Sequence, residues 1–565
     1  MSTGWLRVAV TIGVLMVFGE GLLAMDGNAV FVVEDSVGRV ASVTGSQIIV
    51  HVKPDPQDSQ LPGASAVVKG TLVKIRHQST WVFGLVTAIS IPLPSHEQAP
   101  DEQRFAEVVL LGEADVGAEA GTPGSFERGV SFFPSVGAPV FVATADDLAL
   151  VYAKRSPSSV RIGTIHQDRS IAAYVSPDRL LGKHFAVLGT TGTGKSCAVA
   201  LILRRLLETH RNAHILVLDP HNEYASAFSD YAEVIDASSF ELPYWLFTFE
   251  ELSGAILGDV SRDEELLQRE ATALSALVCR AKETFLGNAR KASHITANTP
   301  VPYKMSELLS LLDAEMGKLG HGRNVLPLQN LKNKINTLRN DSRYAFMFGG
   351  IGVSDTMNRI LSRIFRIPVG DKPISILDLS AVPSEVLNIV VSVLARITFD
   401  LAVLSERSVP ILLVCEEAHR YLPADDRQGF EPTKRILSRI AREGRKYGVA
   451  LGIISQRPSD LAMSALCQCN SIFALRLSNT ADQEFVRAML PDWGGGLFDF
   501  LPALRNGEAI VIGEAVPVPA RVRFDVLPPE HMPRSETAPF SQAWQTNGAG
   551  KDLLDGVIAR WRAEH

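Results

Sequence analysis

The sequence predicts an α/β protein: a largely parallel sheet covered by helices, preceded by a small all-β barrel. Between residues 28 and 155, short β-type runs follow one another across turns containing Gly and Pro, and closely spaced strands without helices suggest a barrel. After about residue 160, apolar runs alternate with helical periodicity, the pattern of a mainly parallel sheet. The later runs are unbroken, as expected of strands buried on both faces.

A chain of 565 residues exceeds what one hydrophobic core supports, so two or three domains are expected. Residues 1–24 form an apolar leader, with the single positive charge of Arg7 ahead of an apolar run broken by Glu20. We read it as an over-extended start or a non-functional leader, because Met25 stands just before the first convincing strand. A membrane anchor and an export signal are the alternatives. Residues 25–158 carry the barrel strands: VGRVASVTGSQIIVHV (37–52), VVKGTLVKIRH (67–77), WVFGLVTAISI (81–91), FAEVVLLG (105–112) and APVFVATA (138–145). Residues 159–526 carry the second domain, with strands HFAVLG (184–189), HILVLD (214–219), PISILDL (373–379), PILLVCEE (410–417) and VALGIIS (449–455). Its stretch from about 240 to 350 is helical in pattern and reads as an insertion. Residues 527–565 read as a linker and a short amphipathic helix.

Hydrophobic residues make up 46% and charged residues 21%, ordinary for a globular protein. The net charge of −7 excludes a protein coated in basic residues, so any DNA contact must come from a local basic surface. Five cysteines without paired zinc spacing fit reduced thiols better than a disulfide framework.

The sharpest motif is GTTGTGKS, from Gly189 through Thr190, Thr191, Gly192, Thr193, Gly194 and Lys195 to Ser196, followed by Cys197. It matches the phosphate-loop pattern at each fixed position and lies between an apolar strand and a helical run. Its glycines let backbone N–H groups turn toward a phosphate, and the helix start adds partial positive charge. The expected ligands are ATP and Mg²⁺, with Lys195 on the β/γ oxygens and Ser196 on the cation. A site that uses ATP places the protein in the cytoplasm.

ILLVCEEAHRYLP (411–423) runs an apolar strand into Glu416 and Glu417. Alone it reads as a strand end turning into water. Beside a phosphate loop, Glu416 is expected to hold the Mg²⁺ shell through a water and Glu417 to orient the attacking water. Asp219 and Glu223 follow another buried strand, and Ser455 and Gln456 end a third, where the Gln456 amide could sense a γ-phosphate. Ligands of open α/β sheets bind outside such carboxyl ends. The basic segment 427–446 admits three readings: a solvated helix face, an arginine finger from Arg442 or Arg445 into a neighbouring subunit, or a track for a phosphate backbone.

HFAVLGTTGTGKS, LDPHNEY, CEEAHRYLP, REGRKYG, SQRPSDL and RNGEAIVIGEAVPVPARV, in this order, resemble the HerA branch of the HerA/FtsK ATPases. FERGVSFFPSVG (126–137) and VRIGTIHQD (160–168) resemble the amino-terminal, HAS-type barrel region of that family. The resemblance covers roughly residues 28–526. It implies a RecA-like core with a helical insertion, in a homo-hexameric ring that translocates double-stranded DNA using ATP. It also implies that Lys195 and Ser196 bind nucleotide and metal, Glu417 activates water and Gln456 senses the γ-phosphate. It implies further that the Arg442–Arg445 segment supplies an arginine in trans and that Lys183 lies near the nucleotide. Glu416 departs from the frequent Asp. The family works with a NurA-like nuclease or another effector, such as a sirtuin-like NAD-consuming protein, in DNA end processing or antiphage defence. Two alternatives stand beside the motor: an ATP-regulated ring scaffold that gates an effector, and a membrane-tethered FtsK-like pump.

Overall fold

The structure, a computed structural model, describes residues 36–53, 67–91, 103–115, 124–236, 239–258, 264–287, 294–319, 325–349, 354–425, 427–489, 495–534, 540–545 and 550–564. The leader reading falls outside these residues. Strands β1 (Gly38–Thr44), β2 (Gln47–Val52), β3 (Leu72–His77), β4 (Thr80–Ser90), β5 (Arg104–Asp115), β6 (Phe126–Arg128) and β7 (Pro139–Val142) pair in the order β2-β1-β7-β3-β4-β5-β6. A β2–β5 pairing closes the first six of these into a barrel. The β4–β5 ladder is buried on both faces, which explains its long apolar runs. Val82, Val86, Val108 and Leu110 fill the barrel. Phe83, Leu85, Val109 and Leu111 join the core of the second domain. The seam is tight: a Cβ on Gly496 would lie 2.4 Å from Cβ of Thr87.

The second sheet is built from β8 (Val160–Ile165), β9 (Ala172–Val175), β10 (Phe185–Leu188), β11 (His214–Asp219), β12 (Ala232–Ile235), β13 (Ile374–Asp378), β14 (Ile411–Cys415), β15 (Val449–Ser455), β16 (Ser471–Ala474), β17 (Glu508–Gly513) and β18 (Ala520–Phe524). Its order is β12-β13-β11-β14-β15-β10-β16-β17-β18-β8-β9. The run from β12 to β16 is parallel, and β17, β18, β8 and β9 extend it as an antiparallel wing. The order β11-β14-β15-β10-β16 gives a RecA-like core, with the strand that enters the phosphate loop near its centre. That wing was not anticipated from the sequence.

Helices Phe249–Leu257, Glu264–Leu286, Met305–Leu319 and Leu326–Asn340 lie between β12 and β13. They are tied to the core by Glu251, a nearly inaccessible carboxylate that accepts from Ser392 Oγ at 2.9 Å and pairs with Arg396 at 3.1 Å. Helix Ser384–Leu404 is apolar and long enough to cross a membrane, yet 72% of its apolar window is buried inside the domain. It is a core helix, packed against helix Glu431–Tyr447. Residues 529–534 of the expected linker dock onto the domain: Ser226 Oγ donates to Met532 O at 3.0 Å, and Arg534 N to Glu223 O at 2.9 Å. Helix Lys551–Glu564 leaves Leu553, Leu554 and Trp561 exposed.

His184 holds β10 against β15 from the amino side. It has a left-handed backbone (φ +60°), and its buried Nδ1 accepts the Leu451 N–H at 2.9 Å. Burial pushes its pKa down from 6.5 to about 4. Between those values the unfolded chain binds a proton that the fold refuses, so stability falls as pH drops from about 6.5 toward 4. His184→Gln keeps an acceptor but cannot titrate. Unfolding midpoints of the two proteins at pH 7 and pH 5 should show the larger acid loss in wild type.

Candidate nucleotide-binding site

The chain leaves β10 at Leu188 and enters the loop Gly189–Gly194 before helix Lys195–Thr209. The loop closes by backbone geometry that glycine supplies. Gly192 and Gly194 have φ of +77° and +99°, and a Cβ on Gly189 would come within 2.8 Å of Leu475 Cβ. Two of its threonines serve the loop itself: Thr193 Oγ1 donates to Thr190 O at 2.7 Å, and Thr190 N and Oγ1 both donate to Arg476 O at 3.0 and 3.1 Å. On the outer side, Gly507 N donates to Thr193 O at 3.1 Å. Cys197 is exposed on the first helical turn.

Three strand ends face this loop. In the parallel ladder Leu188 pairs with Ser455 and Cys415 with Ile453, and the turn after β14 brings Glu417 near Ser455, His419 Nδ1 lying 3.2 Å from both side chains. Glu417 adopts φ +51°, a left-handed conformation that a non-glycine residue holds only where its surroundings impose it. Its side chain is buried and Oε2 makes no hydrogen bond; the His419 ring nitrogen Nδ1 lies 3.2 Å from it. His419 Nδ1 also lies 3.2 Å from Ser455 Oγ, and burial lowers its pKa. Gln456 Oε1 accepts from Thr191 Oγ1 at the loop's tip.

The strand end after β11 divides its labour. Asp219 is fully buried and builds the turn: its carboxylate accepts His221 N at 3.2 Å and Tyr224 N at 2.9 Å. Glu223, brought round by the left-handed Asn222, accepts a short hydrogen bond from Ser196 Oγ. Tyr224, fully buried, donates its hydroxyl to Glu416 Oε2 at 2.6 Å. Glu416 therefore spends one oxygen on Tyr224. Tyr224, His419 and Arg476 were not singled out from the sequence. The first two stand inside the quoted HNEY and EEAHR segments, where their hydroxyl and imidazole were the available signal.

Lys195 is nearly buried, with Nζ 3.3 Å from Thr190 O. Burial lowers its pKa against the pull of Glu416, Glu417 and Glu223. Burial raises Glu416 well above the ordinary carboxylate range, with Glu417 and Glu223 adding like charge. Burial likewise raises Glu417, against the opposing charge of Lys195. Among the described residues no group of three or more His, Cys, Asp or Glu could hold a metal ion alone. The Ser196 hydroxyl and Glu223 carboxylate are hard oxygen donors that suit Mg²⁺, which takes few protein ligands and shares its shell with water and phosphate oxygens. The unsatisfied Glu417 oxygen leaves an acceptor for a water.

Two expectations for the site are corrected or qualified by position. Lys183 precedes β10 and so lies at the sheet's amino edge, roughly 13 Å of strand from the loop. There it pairs with Glu514 at 2.5 Å, and its carbonyl accepts Asn470 N, so it is not beside the nucleotide loop. Arg442 and Arg445 are exposed near the carboxyl end of helix Glu431–Tyr447, which feeds the amino end of β15. They too stand at the edge opposite their own phosphate loop. Lys183→Ala should leave ATP affinity unchanged by calorimetry while lowering thermal stability through loss of the Glu514 contact.

Residues 160–398 match the family described as Helicase HerA, central domain. The chain is 28% identical over 431 residues to the DNA double-strand break repair helicase HerA of Pyrococcus furiosus, covering 68% of this chain and 72% of that protein. It is 26% identical over 482 residues to the protein of the same name from Sulfurisphaera tokodaii, covering 81% and 88%. Among solved structures, VirB4 of Thermoanaerobacter pseudethanolicus aligns at 14% identity with a TM-score of 0.48, covering 66% of this chain and 98% of that one. The matched segment contains the phosphate loop and likeness to proteins named HerA runs along most of the chain, so this is a phosphate-loop ATPase similar to the HerA helicases.

Proposed function

We propose that this protein is an ATP-driven double-stranded DNA translocase or helicase of the HerA type, working as a homo-hexameric ring. The observation that carries the reading is the buried, unsatisfied Glu417 oxygen, which shares His419 with Ser455 at the end of the strand paired to the phosphate-loop strand. Relatives named as DNA double-strand break repair helicases supply the DNA. Backbone N–H groups of Gly189–Ser196 cradle the phosphates, Lys195 meets the β/γ oxygens, and Gln456 contacts the γ-phosphate from β15. Glu417 accepts the proton of the attacking water, and a pKa raised by burial brings it nearer the working pH. Mg²⁺, bound with ATP at Ser196, neutralises phosphate charge.

Arg442 and Arg445 stand at the far edge of their own sheet, so a fingertip role requires a neighbouring protomer's site. That supports a ring with shared sites. With a net charge of −7, duplex contact falls to local basic surfaces such as a pore lining. Any cutting belongs to a partner, a NurA-like nuclease or another effector such as a sirtuin-like NAD-consuming protein, in DNA end processing or antiphage defence. The place of action is the cytoplasm.

Purified protein should hydrolyse ATP faster with duplex DNA; turnover indifferent to DNA would overturn the motor. Lys195→Ala should lose nucleotide binding. Glu417→Gln should bind ATP yet hydrolyse it about 10²–10⁴-fold more slowly, and near-normal turnover in that variant would remove Glu417 from its role.

A further inference from the structure

The familiar arrangement in phosphate-loop enzymes gives the Mg²⁺-side carboxylate to the strand that also carries the water-activating glutamate. Here that position is Glu416, and one of its oxygens is taken by a tyrosine. It is buried to 3% exposure, and its Oε2 takes the hydroxyl of Tyr224 at 2.6 Å. Tyr224 is itself wholly buried and held by its N–H to Asp219 Oδ2 at 2.9 Å, so the pair is locked from both ends. The carboxylate that meets the Ser196 hydroxyl is Glu223. Its approach is built into the backbone: Asn222 turns through φ +52°, and the Glu223 carbonyl accepts Arg534 N at 2.9 Å from the docked carboxyl-terminal segment. A separate observation marks the space between as a ligand site: Glu417 is 6% exposed, and its Oε2 lacks any hydrogen-bond partner.

We propose that Glu223 is the carboxylate that completes the Mg²⁺ shell beside Ser196, and that Glu416 is a positioning residue, anchored by Tyr224, that sets the turn presenting Glu417. The inference rests on the ATPase reading above and assigns the metal side within it. Chemically it resolves the extra methylene of Glu416. A residue one carbon longer than the frequent Asp reaches a tyrosine hydroxyl across the β11–β14 ladder, and the neighbouring strand end takes over the cation. Glu223 acts toward the metal directly or through a water; Glu416 acts through the turn that presents Glu417.

The test separates metal affinity from turnover in the full-length protein. A fluorescent ATP analogue is titrated with and without Mg²⁺, and Mn²⁺ bound in the ATP complex is followed by electron paramagnetic resonance. Glu223→Gln should lose about 10–100-fold of the Mg²⁺-dependent gain in affinity and of Mn²⁺ binding, with metal-free nucleotide affinity kept. Glu416→Gln and Tyr224→Phe should keep the metal-dependent gain while turnover falls. Ser196→Ala combined with Glu223→Gln should lose less than the sum of the two single changes, the mark of groups acting on one ligand. Loss of Mn²⁺ in Glu416→Gln with retention in Glu223→Gln overturns the assignment, as does equal loss in both or additivity of the Ser196 and Glu223 changes. Wild-type protein that binds no nucleotide overturns the ATPase reading itself, an outcome visible before any variant is made.

Discussion

The parallel ladder that brings Leu188, Ser455 and the residues after Cys415 to one level is the constraint on which the rest of the molecule depends. Strand ends in a parallel sheet need no side-chain contact to converge, because the hydrogen-bond register does it. Once β10 is fixed between β15 and β16, the loop after it faces whatever residues those strands and their neighbours end on. Here the ends are Ser455 and Gln456, Glu416 and Glu417, and Asp219 with the turn to Glu223. The apolar runs β10, β11, β14 and β15 are buried along nearly their whole length. Polar chemistry is therefore confined to one edge.

Confinement has an electrostatic cost. Three glutamates act on one lysine at that edge, and burial raises Glu416 and Glu417 while lowering Lys195. The fold meets part of that cost with specific donors: Tyr224 to Glu416, Ser196 to Glu223, and backbone N–H groups to Asp219. Glu417 is left with an unsatisfied oxygen. A buried polar atom without a partner is rare in a native fold and marks a place where a ligand or water belongs.

The fold class and the loop were legible in the sequence because both are local signals. Unbroken apolar runs mark strands buried on two faces, and the glycine spacing of 189–194 is dictated by backbone conformation. What escaped was set by tertiary placement. Lys183 sits one residue from a strand in sequence, but only the strand's direction says which edge of the sheet it reaches. Glu416 and Glu417 are adjacent, and the left-handed turn at Glu417 sends them to different partners. No periodicity could say that Glu416 would find Tyr224. The antiparallel wing escaped because β16 and β18 are only four and five residues long and too short for a pattern to stand out.

One consequence concerns how the protein can be dissected. Strand β10, which carries the phosphate loop, takes its hydrogen bonds from β15 and β16, and both lie beyond residue 398. The loop's outer side leans on the carbonyl of Arg476 and the amide of Gly507, farther still along the chain. The 160–398 segment by which the family is recognised is thus a sequence unit and not a folding unit. Expressed alone it would leave its central strand without either neighbour. The smallest autonomous piece that could present this loop must extend through β18, and by the β4–β5 seam it would expose an apolar face if cut from the barrel.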